Sequence, residues 1–366
     1  MITIKHPIEF PNTYPLDRIG PLKDLLFFDI ETTGFSGETS QLYLIGCTYF
    51  DGFGWKLIQW FADTRQAEKE LLDAFFEFLK RFKILIHFNG DRFDIPYLLK
   101  CCERLGLDYH FDDLISIDIF KKIKPYRKLL KLENMKQKSI EQFLGVHRED
   151  KYNGGQLIEV YRDYLHTHEK PLFDLLILHN ADDLRGMPSI LPILNYADLF
   201  ESDFTLCSHK LYSYTDEAGY SHPFVNLLWE SPYSPIPLEY TLNPLSLELH
   251  DNCLACNLTL YEGTLKYFYP DYQNYYYLPL EDTAIHKSIG EYVDRSARKK
   301  ATAKNCYSKK EGLFLPQFGS LWEPSFKEEY KSSLTYTLYD DKTLWNDTVK
   351  NSHYAHEIFN YLTGQL

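Results

Sequence analysis

Residues 25–46 read LLFFDIETTGFSGETSQLYLIG, and the apolar run that opens this stretch carries two acidic residues, Asp29 and Glu31. Side chains at positions i and i+2 of a strand point to the same face, so both carboxylates project together from one end of the predicted strand. Burying unpaired negative charge is costly. The pattern therefore indicates that cations bind between these two side chains.

The segments on either side predict a layered α/β domain. Short apolar and alternating runs predict strands at 24–31, 42–50, 55–61 and 84–88, with a further candidate at 113–120. Apolar residues at helical spacing predict helices at 66–82, 95–105, 138–144, 156–166 and 172–193. Early strands followed by strands that alternate with helices predict one α/β domain over residues 23–197, after an N-terminal extension over residues 1–22.

The second half of the chain has a different texture. Residues 200–366 hold 19 of the 29 tyrosines, together with proline turns and short alternating runs. This pattern predicts a second, mostly β (α+β) domain with helices near 283–300 and 352–362. The sequence shows no internal repeat.

The composition is typical of a soluble protein, with 44% hydrophobic and 25% charged residues and a net charge of −13. No apolar stretch approaches the roughly 20 residues of a membrane span, and no secretory signal is visible, so we expect no membrane partner. Seven cysteines at low density are typical of free thiols in the cytoplasm. Cys253 and Cys256 are expected to be half-buried cysteines on a strand rather than a metal site.

Two basic runs stand out against the acidic total. Residues 121–138 contain eight Lys and Arg against one Glu, and residues 295–310 contain seven and no acid. Taken alone, each run is explained equally well by a solvated surface and by phosphate binding.

Two further segments carry acidic residues beside apolar runs. In HFNGDRFDIPYL, residues 87–98, a buried strand leads to a turn and Asp94 opens a helix. In LLILHNADDLRGM, residues 175–187, His179 and Asp183 lie at i and i+4 and share a helix face, whereas Asp182 lies elsewhere on the helix. Alone, each segment has an ordinary explanation: an acid on a strand, a helix N-cap, a surface pair.

The combination of these segments indicates a metal site. Carboxylate oxygens suit Mg²⁺ or Mn²⁺, and four carboxylates are too many for one such ion. Two ions roughly 3.5–4 Å apart suit in-line displacement at phosphorus. One ion lowers the pKa of the attacking water, and the other stabilises the leaving oxygen.

Together the three segments resemble the DEDD superfamily of 3′→5′ exonucleases, which have a ribonuclease H-like fold. FFDIETTG, HFNGDRFDIPYL and HNADD resemble its first, second and third motifs, and LGVHREDKYNGGQLIEVYRDYL at 144–165 resembles a bacterial subgroup called YprB-like. The resemblance implies a mixed sheet flanked by helices over residues 23–197. It also implies that Asp29, Glu31, Asp94 and Asp183 are the metal ligands. Thr32, Thr33, Gly34, Asn89 and Phe93 are implied to bind the substrate.

The third motif departs from the superfamily pattern. Its usual forms are Tyr-x₃-Asp and His-x₄-Asp, whereas this chain has His179-x₃-Asp183, and five residues on from His179 lies Leu184. We therefore assign Asp183 as the ligand and His179 to the position that activates water. An imidazole, with an ordinary pKa of about 6.5, is a better base near neutrality than a phenol at about 10. The alternative is that His179 only packs.

The resemblance thus implies a divalent-metal-dependent 3′→5′ exonuclease for single-stranded nucleic acid. DNA is somewhat favoured over RNA, but the motifs do not distinguish the two, because recognition of the 2′-OH depends on pocket geometry. A single strand needs cations for its phosphates and aromatic rings for its bases. The candidates in the basic runs are Lys128, Lys131, Lys299, Lys300 and Tyr307. Alternatively, the tyrosines of the second domain fill a β core. A catalytically silent binding module and a structure-selective endonuclease are the other candidate functions, and the complete set of four carboxylates favours an enzyme. The sequence does not identify protein partners.

Overall fold

A computed structural model of the chain describes residues 1–146, 154–233 and 237–364. The chain divides into two compact units, Met1–Ala197 and Asp198–Leu366. Residues 147–153, within the stretch of YprB-like resemblance, lie outside the described residues. No helix in the described ranges is both long and apolar enough to cross a membrane.

The first unit contains six strands and seven helices within its described residues. The strands are β1 (Ile2–Pro7), β2 (Leu25–Thr32), β3 (Leu42–Phe50), β4 (Trp55–Phe61), β5 (Ile84–His87) and β6 (Ile115–Asp118). The helices are α1 (Glu68–Leu79), α2 (Asp94–Leu105), α3 (Ile119–Ile123), α4 (Gln137–Phe143), α5 (Gly154–Thr167), α6 (Lys170–Ile190) and α7 (Leu194–Glu201), which runs into the second unit.

The six strands form one mixed sheet in the order β1-β4-β3-β2-β5-β6. Strand β2 pairs antiparallel with β3 and parallel with β5, and β5 pairs parallel with β6. Because β2 is an inner strand covered by helices, Leu25–Phe28 is completely buried, as its continuous apolar run predicts. The predicted mixed sheet flanked by helices is confirmed.

The N-terminal residues differ from the prediction. Residues 2–7, placed in an extension outside the domain, form β1, which pairs antiparallel with β4 from Ile2↔Phe61 to Pro7↔Lys56. Ile2 and Ile4 are partly buried and alternate with exposed Thr3 and Lys5, which is the pattern of an edge strand. The segment 113–120 also differs, because the strand ends at Asp118 and the chain turns into α3.

Helix α6 packs closely against the sheet where β3 carries Gly46. A Cβ atom at this position would overlap Asn180 Oδ1 and Leu184 Cδ1. The glycine therefore allows α6 to approach the strands that flank β2. This approach brings the segment that carries His179 and Asp183 close to the segment that carries Asp29 and Glu31.

The second unit is mostly β, as predicted. Its strands are β7 (Thr205–Thr215), β8 (Ser221–Glu230), β9 (Leu238–Leu242), β10 (Leu245–His250), β11 (Cys253–Thr259), β12 (Tyr261–Phe268), β13 (Tyr275–Leu278), β14 (Thr283–His286), β15 (Lys299–Lys300), β16 (Tyr307–Gln317) and β17 (Thr335–Leu338). Its further helices are α8 (Lys287–Gly290) and α9 (Thr348–Thr363). The sheets have the orders β7-β8-β11-β10-β9, β12-β16-β17 and β14-β13-β15.

Two helix predictions in this unit had different outcomes. The helix near 352–362 is confirmed as α9, whose N-cap Asp347 accepts hydrogen bonds from the N–H groups of Val349 and Lys350. The prediction of a helix near 283–300 is wrong. Residues 283–286 pair with the tyrosine-rich β13, and only the four residues of α8 that follow are helical. All seven cysteines are free, and on β11 Cys253 is exposed whereas Cys256 is buried.

Candidate active site

Asp29 and Glu31 lie on one face near the carboxyl end of β2, where both are partly buried. The phenolic hydroxyl of Tyr43, on the neighbouring β3, donates to Glu31 Oε2 at 3.5 Å. Asn180 Nδ2, on α6, donates to Asp29 Oδ2 at 2.9 Å. The side chains of both acids are therefore held from neighbouring elements.

Asp94 is the first residue of α2 and is buried. Its carboxylate accepts hydrogen bonds from the backbone N–H groups of Ile30 and of Asp94 itself, which ties the start of α2 to β2. Burial, with a smaller contribution from the nearby charge of Asp118, raises the pKa of Asp94 to about 7 even though those hydrogen bonds lower it.

His179 and Asp183 project from one face of α6 toward β2. His179 Nε2 lies 3.7 Å from Glu31 Oε1 and 3.5 Å from Asp183 Oδ2. Asp182 lies on another face, where it forms an ion pair with Arg185 at 3.1 Å. The i, i+4 relation thus brings His179 and Asp183 to the first motif, whereas the adjacent acid is directed elsewhere.

The four predicted ligands form one electrostatic cluster. Burial raises the pKa of Asp29 well above its usual range, and the charges of Glu31, Asp94 and Asp183 raise it further. The pKa of Glu31 is likewise raised by burial and then by Asp183 and Asp94. In the described part of the chain, no Lys or Arg forms an ion pair with Asp29, Glu31 or Asp94.

The geometry of the donor atoms shows whether cations fit this negatively charged site. The ligand atoms of Glu31, His179 and Asp183 all lie within 4.8 Å of one another, as required for a shared ion. Clustered carboxylate oxygens are the donor set that Mg²⁺ and Mn²⁺ prefer. The arrangement therefore fits divalent cations, which would neutralise the repulsion among the acids.

The raised pKa of Asp94 predicts how the metal-free protein responds to pH. The folded protein binds a proton up to about pH 7, whereas the unfolded chain releases it near the ordinary value of 3.8. This contribution to stability is thus fully present below pH 3.8 and is lost as the pH rises to about 7. Between pH 5 and 7 we expect a loss of about 1–3 kcal/mol in the free energy of unfolding.

Calorimetry in EDTA measures this effect, with Asp94→Asn as the matched control that lacks the titrating group. The Tm of the wild type is expected to fall more steeply with pH than that of the variant. Added Mn²⁺ is expected to raise the Tm of the wild type more at pH 8 than at pH 5, where protons compete for the carboxylates. Identical pH slopes for the two proteins contradict the prediction.

Asn180 is a residue of the site that the motifs did not predict. It is completely buried, and while its Nδ2 donates to Asp29, its Oδ1 accepts from Gln59 Nε2 at 2.9 Å. Gln59 Nε2 also donates to the carbonyl oxygen of Ile177 at 3.0 Å. The sequence offers one signal for Asn180, which is its position next to His179. Its partner Gln59 lies 121 residues away, so their contact is not visible in the sequence. The chain Gln59–Asn180–Asp29 fixes the orientation of the Asp29 carboxylate.

Removing this support is expected to weaken cation binding. Asn180→Ala leaves the Asp29 carboxylate without its fixed donor, and we expect Mn²⁺ affinity to fall by about 10- to 100-fold. Isothermal titration calorimetry with Mn²⁺ measures the change. Asp182→Asn is the matched control, because it alters the same helix outside the site. An unchanged affinity in Asn180→Ala rules out the positioning role.

Asn89 lies in the loop between β5 and α2, with a positive φ of 64°. Asp118 holds this loop: its Oδ1 accepts from the N–H of Asn89 at 2.9 Å and its Oδ2 from that of Asp91 at 3.3 Å. His87 Nδ1 accepts from the N–H of Gly90 at 3.0 Å. His87, Asp91 and Asp118 form a second cluster of potential ligand atoms. His87 and Asp118 accept hydrogen bonds from the loop, and the Asp91 carboxylate accepts from Ser116 Oγ and Lys121 Nζ. The cluster positions the loop that leads to Asp94.

The predicted contacts after Glu31 lie in a tight turn. Thr32 Oγ1 donates to the carbonyl oxygen of Gly34 at 2.7 Å. The N–H of Thr33 donates to the carbonyl oxygen of Gln41 at 2.9 Å. Beside this turn Phe35 is 94% exposed, and its ring centroid lies 6.4 Å from that of Phe93. Phe35, which was not predicted from the sequence, is thus an exposed aromatic ring next to the predicted substrate residues.

The basic candidates lie in both units. Lys128 and Lys131 are exposed in the turn between α3 and α4, and Gln137 at the start of α4 donates to the carbonyl oxygen of Asp183 at 3.2 Å. Lys299 and Lys300 are exposed on β15 in the second unit. Their roles as substrate residues stay predictions.

Tyr307 does not present its ring to a base, contrary to the prediction. It is only 7% exposed, and its hydroxyl donates to Asp282. Its ring contacts the edge of Phe268, and Lys266 Nζ lies 5.1 Å from the ring centroid. The alternative weighed for the tyrosines, that they fill the β core, applies to this residue.

Known proteins resemble part of the chain in sequence. Residues 26–195 match the family model described as the RNase_H superfamily. The chain is 31% identical over 120 residues to a DNA polymerase of Thermococcus kodakarensis, a match covering 29% of this chain and 7% of the polymerase. It is 32% identical over 122 residues to a DNA polymerase of Thermococcus sp. strain 9oN-7, covering 29% of this chain and 16% of that protein. The chain thus spans a small part of these relatives.

Two solved structures also resemble the chain. A family B DNA polymerase from Pyrobaculum calidifontis gives a TM-score of 0.39 at 16% identity, covering 48% of this chain and 26% of the polymerase. A zinc-bound complex of E. coli exonuclease I with single-stranded DNA gives a TM-score of 0.28 at 13% identity, covering 56% of this chain and 54% of the other.

Proposed function

We propose that the chain is a divalent-cation-dependent 3′→5′ exonuclease for single-stranded nucleic acid, and that residues 26–195, which match the RNase_H superfamily model, form its catalytic domain. The observation that carries the proposal is the convergence of four carboxylates from three separate segments, Asp29 and Glu31, Asp94, and Asp183. Such a cluster is unfavourable without cations, so its presence supports a metal-dependent reaction rather than a structural role.

We assign each side chain a part in phosphodiester hydrolysis. Asp29, Glu31, Asp94 and Asp183 would hold two divalent cations, Mg²⁺ or Mn²⁺. When bound, these cations lower the pKa of the attacking water and stabilise the leaving oxygen. His179, with Nε2 between Glu31 and Asp183, accepts the proton of the attacking water.

DNA is the proposed substrate class. The relatives matched in sequence are named DNA polymerases, which favours DNA over RNA for this chain. Asp29, Glu31 and Asp183 are partly buried and Asp94 is buried, and we propose that the end of a single strand reaches them. The free cysteines support a cytoplasmic location.

The test uses purified full-length chain with Mn²⁺ or Mg²⁺ on 5′-labelled single- and double-stranded DNA and RNA. We expect a ladder of products that shortens from the 3′ end of single-stranded DNA, present in Asp182→Asn and absent in Asp29→Ala. Circular single-stranded DNA is included because it has no end. Its cleavage identifies an endonuclease, and the absence of any cleavage identifies a binding module; either result overturns the proposal.

A further inference from the structure

We propose that the open face of the five-stranded sheet in the second unit binds the unpaired bases of a single nucleic-acid strand. The binding surface is the aromatic platform, defined as Tyr212 and Tyr214 on β7 with His222 and Phe224 on β8. The platform is separate from the proposed exonuclease site. The inference rests on the proposed function in one respect, which is that the protein acts on single-stranded nucleic acid.

The two faces of this sheet differ in character. On β8, Val225, Leu227 and Trp229 are completely buried. The residues that alternate with them point to the opposite face, and they include His222, Phe224 and Asn226, all partly exposed. One face thus packs on the core, and the other displays rings and amides to solvent.

The rings of the platform form two stacked cross-strand pairs. Tyr212 pairs in register with Phe224, with ring centroids 5.6 Å apart and 26° between the planes. Tyr214 pairs with His222, at 5.0 Å and 25°. Tyr212 is 48% exposed and Tyr214 is 51% exposed, although both rings are large. Their outer surfaces are therefore open to a ligand.

The hairpin that carries these pairs is held rigid at its turn. Asp216 Oδ1 accepts from the N–H groups of Ala218 at 3.0 Å and Tyr220 at 2.9 Å. Asp216 Oδ2 lies 2.8 Å from His222 Nε2, which fixes the imidazole beneath Tyr214. Pre-ordered rings lose little conformational entropy when a ligand binds, so the platform is suited to recognition.

A cavity of about 310 Å³ lies beside the rings, lined by Tyr214 and Phe224 and by polar side chains of β10 and β11. Asn257 and Ser246 line this cavity. Asn226 Nδ2 donates to Asn257 Oδ1 at 2.7 Å, and Asn257 Nδ2 donates to Ser246 Oγ at 3.3 Å. These two hydrogen bonds leave the side-chain Oδ1 of Asn226 as an acceptor and the hydroxyl group of Ser246 as a donor. Both are the groups that hydrogen-bond the edge of a base stacked on the rings.

The spacing of the rings and the position of Lys210 favour a nucleic-acid strand as the occupant. Lys210 is exposed in the next row, opposite Asn226, where a phosphate would pass. Tyr212 and Tyr214 are two residues apart on β7, about 6.6 Å, roughly twice the 3.4 Å rise of stacked bases. Glu239 and Glu248 face each other on β9 and β10 and repel phosphates there, which favours binding at the β7 and β8 side of the face. Stacking on such rings accepts any base sequence.

Fluorescence anisotropy of the full chain in EDTA, without cleavage, tests the platform. The probes are a labelled oligothymidine and an abasic strand of equal length. Tyr212→Leu with Tyr214→Leu is expected to weaken oligothymidine binding about tenfold or more, and Tyr212→Phe with Tyr214→Phe to leave it within about twofold, because phenyl rings still stack. Tyr292→Leu, at a site 91% exposed outside the platform, is the control. The abasic strand is expected to bind equally to all variants.

Three outcomes overturn the platform. The first is wild-type affinity in the leucine variant, and the second is an equal loss for the abasic strand. The third is leucine-sensitive binding of an unstructured peptide but not of the oligonucleotide, which assigns the face to a peptide. The proposed exonuclease fails separately, when the wild type binds through the platform but cleaves nothing in Mn²⁺.

Discussion

Asp29→Asn is expected to reduce 3′-end hydrolysis by at least about 10³-fold while making the metal-free protein more stable. The amide has nearly the shape of the carboxylate but cannot bind a divalent cation as a charged ligand, so the transition state loses its electrostatic support. The same change removes one of the charges that repel Glu31, Asp94 and Asp183. Rates on single-stranded DNA and the Tm in EDTA measure the two effects.

The two expected changes have opposite signs, which separates this prediction from simple unfolding. A destabilised variant loses activity and Tm together, whereas Asp29→Asn loses activity and gains about 1–2 kcal/mol of stability, as is common when a strained active-site acid is removed. Asp182→Asn is the control and is expected to change neither quantity strongly, because Asp182 pairs with Arg185 away from the cluster. Activity near that of the wild type in Asp29→Asn excludes the proposed site.

The residues of the cluster were predictable because local geometry places them. Two-residue spacing on a strand puts Asp29 and Glu31 on one face, and four-residue spacing on a helix does the same for His179 and Asp183. Both relations depend only on secondary structure, which the apolar pattern indicates. Whether the three segments come together depends on tertiary packing. That expectation came from the resemblance to the DEDD superfamily and not from local geometry.

The features that the sequence analysis missed depend on contacts between distant segments. Asn180 orients Asp29 only because Gln59 lies beside it and Gly46 leaves it room. Residues 2–7 become a strand because the edge of β4 is available, and propensity over six residues does not predict that pairing. Residues 283–286 become a strand because β13 is beside them. In each case a tertiary partner decided what local preference left open.

His179→Ala is expected to lower kcat on single-stranded DNA by about 10²- to 10⁴-fold, the range for loss of a positioned general base. Saturating Mn²⁺ is needed in this measurement, because the raised pKa values of Asp29 and Glu31 otherwise add proton–metal competition to the acidic limb of the profile. His179→Tyr restores the Tyr-x₃-Asp form at the same spacing and is expected to retain more activity than His179→Ala. A phenol orients water but accepts a proton poorly near neutrality.

The pH profile distinguishes proton transfer from packing at His179. If Nε2 accepts the proton of water, log kcat of the wild type rises with pH along a limb that flattens in His179→Ala. A residue that only packs against Glu31 and Asp183 would lower kcat equally at every pH and leave the shape of the curve unchanged. Mn²⁺ titration of the variants completes the test: the four carboxylates remain, so affinity is expected to stay within about tenfold of the wild type. A larger loss of affinity would make His179 a metal ligand, because its Nε2 lies among the ligand atoms of Glu31 and Asp183.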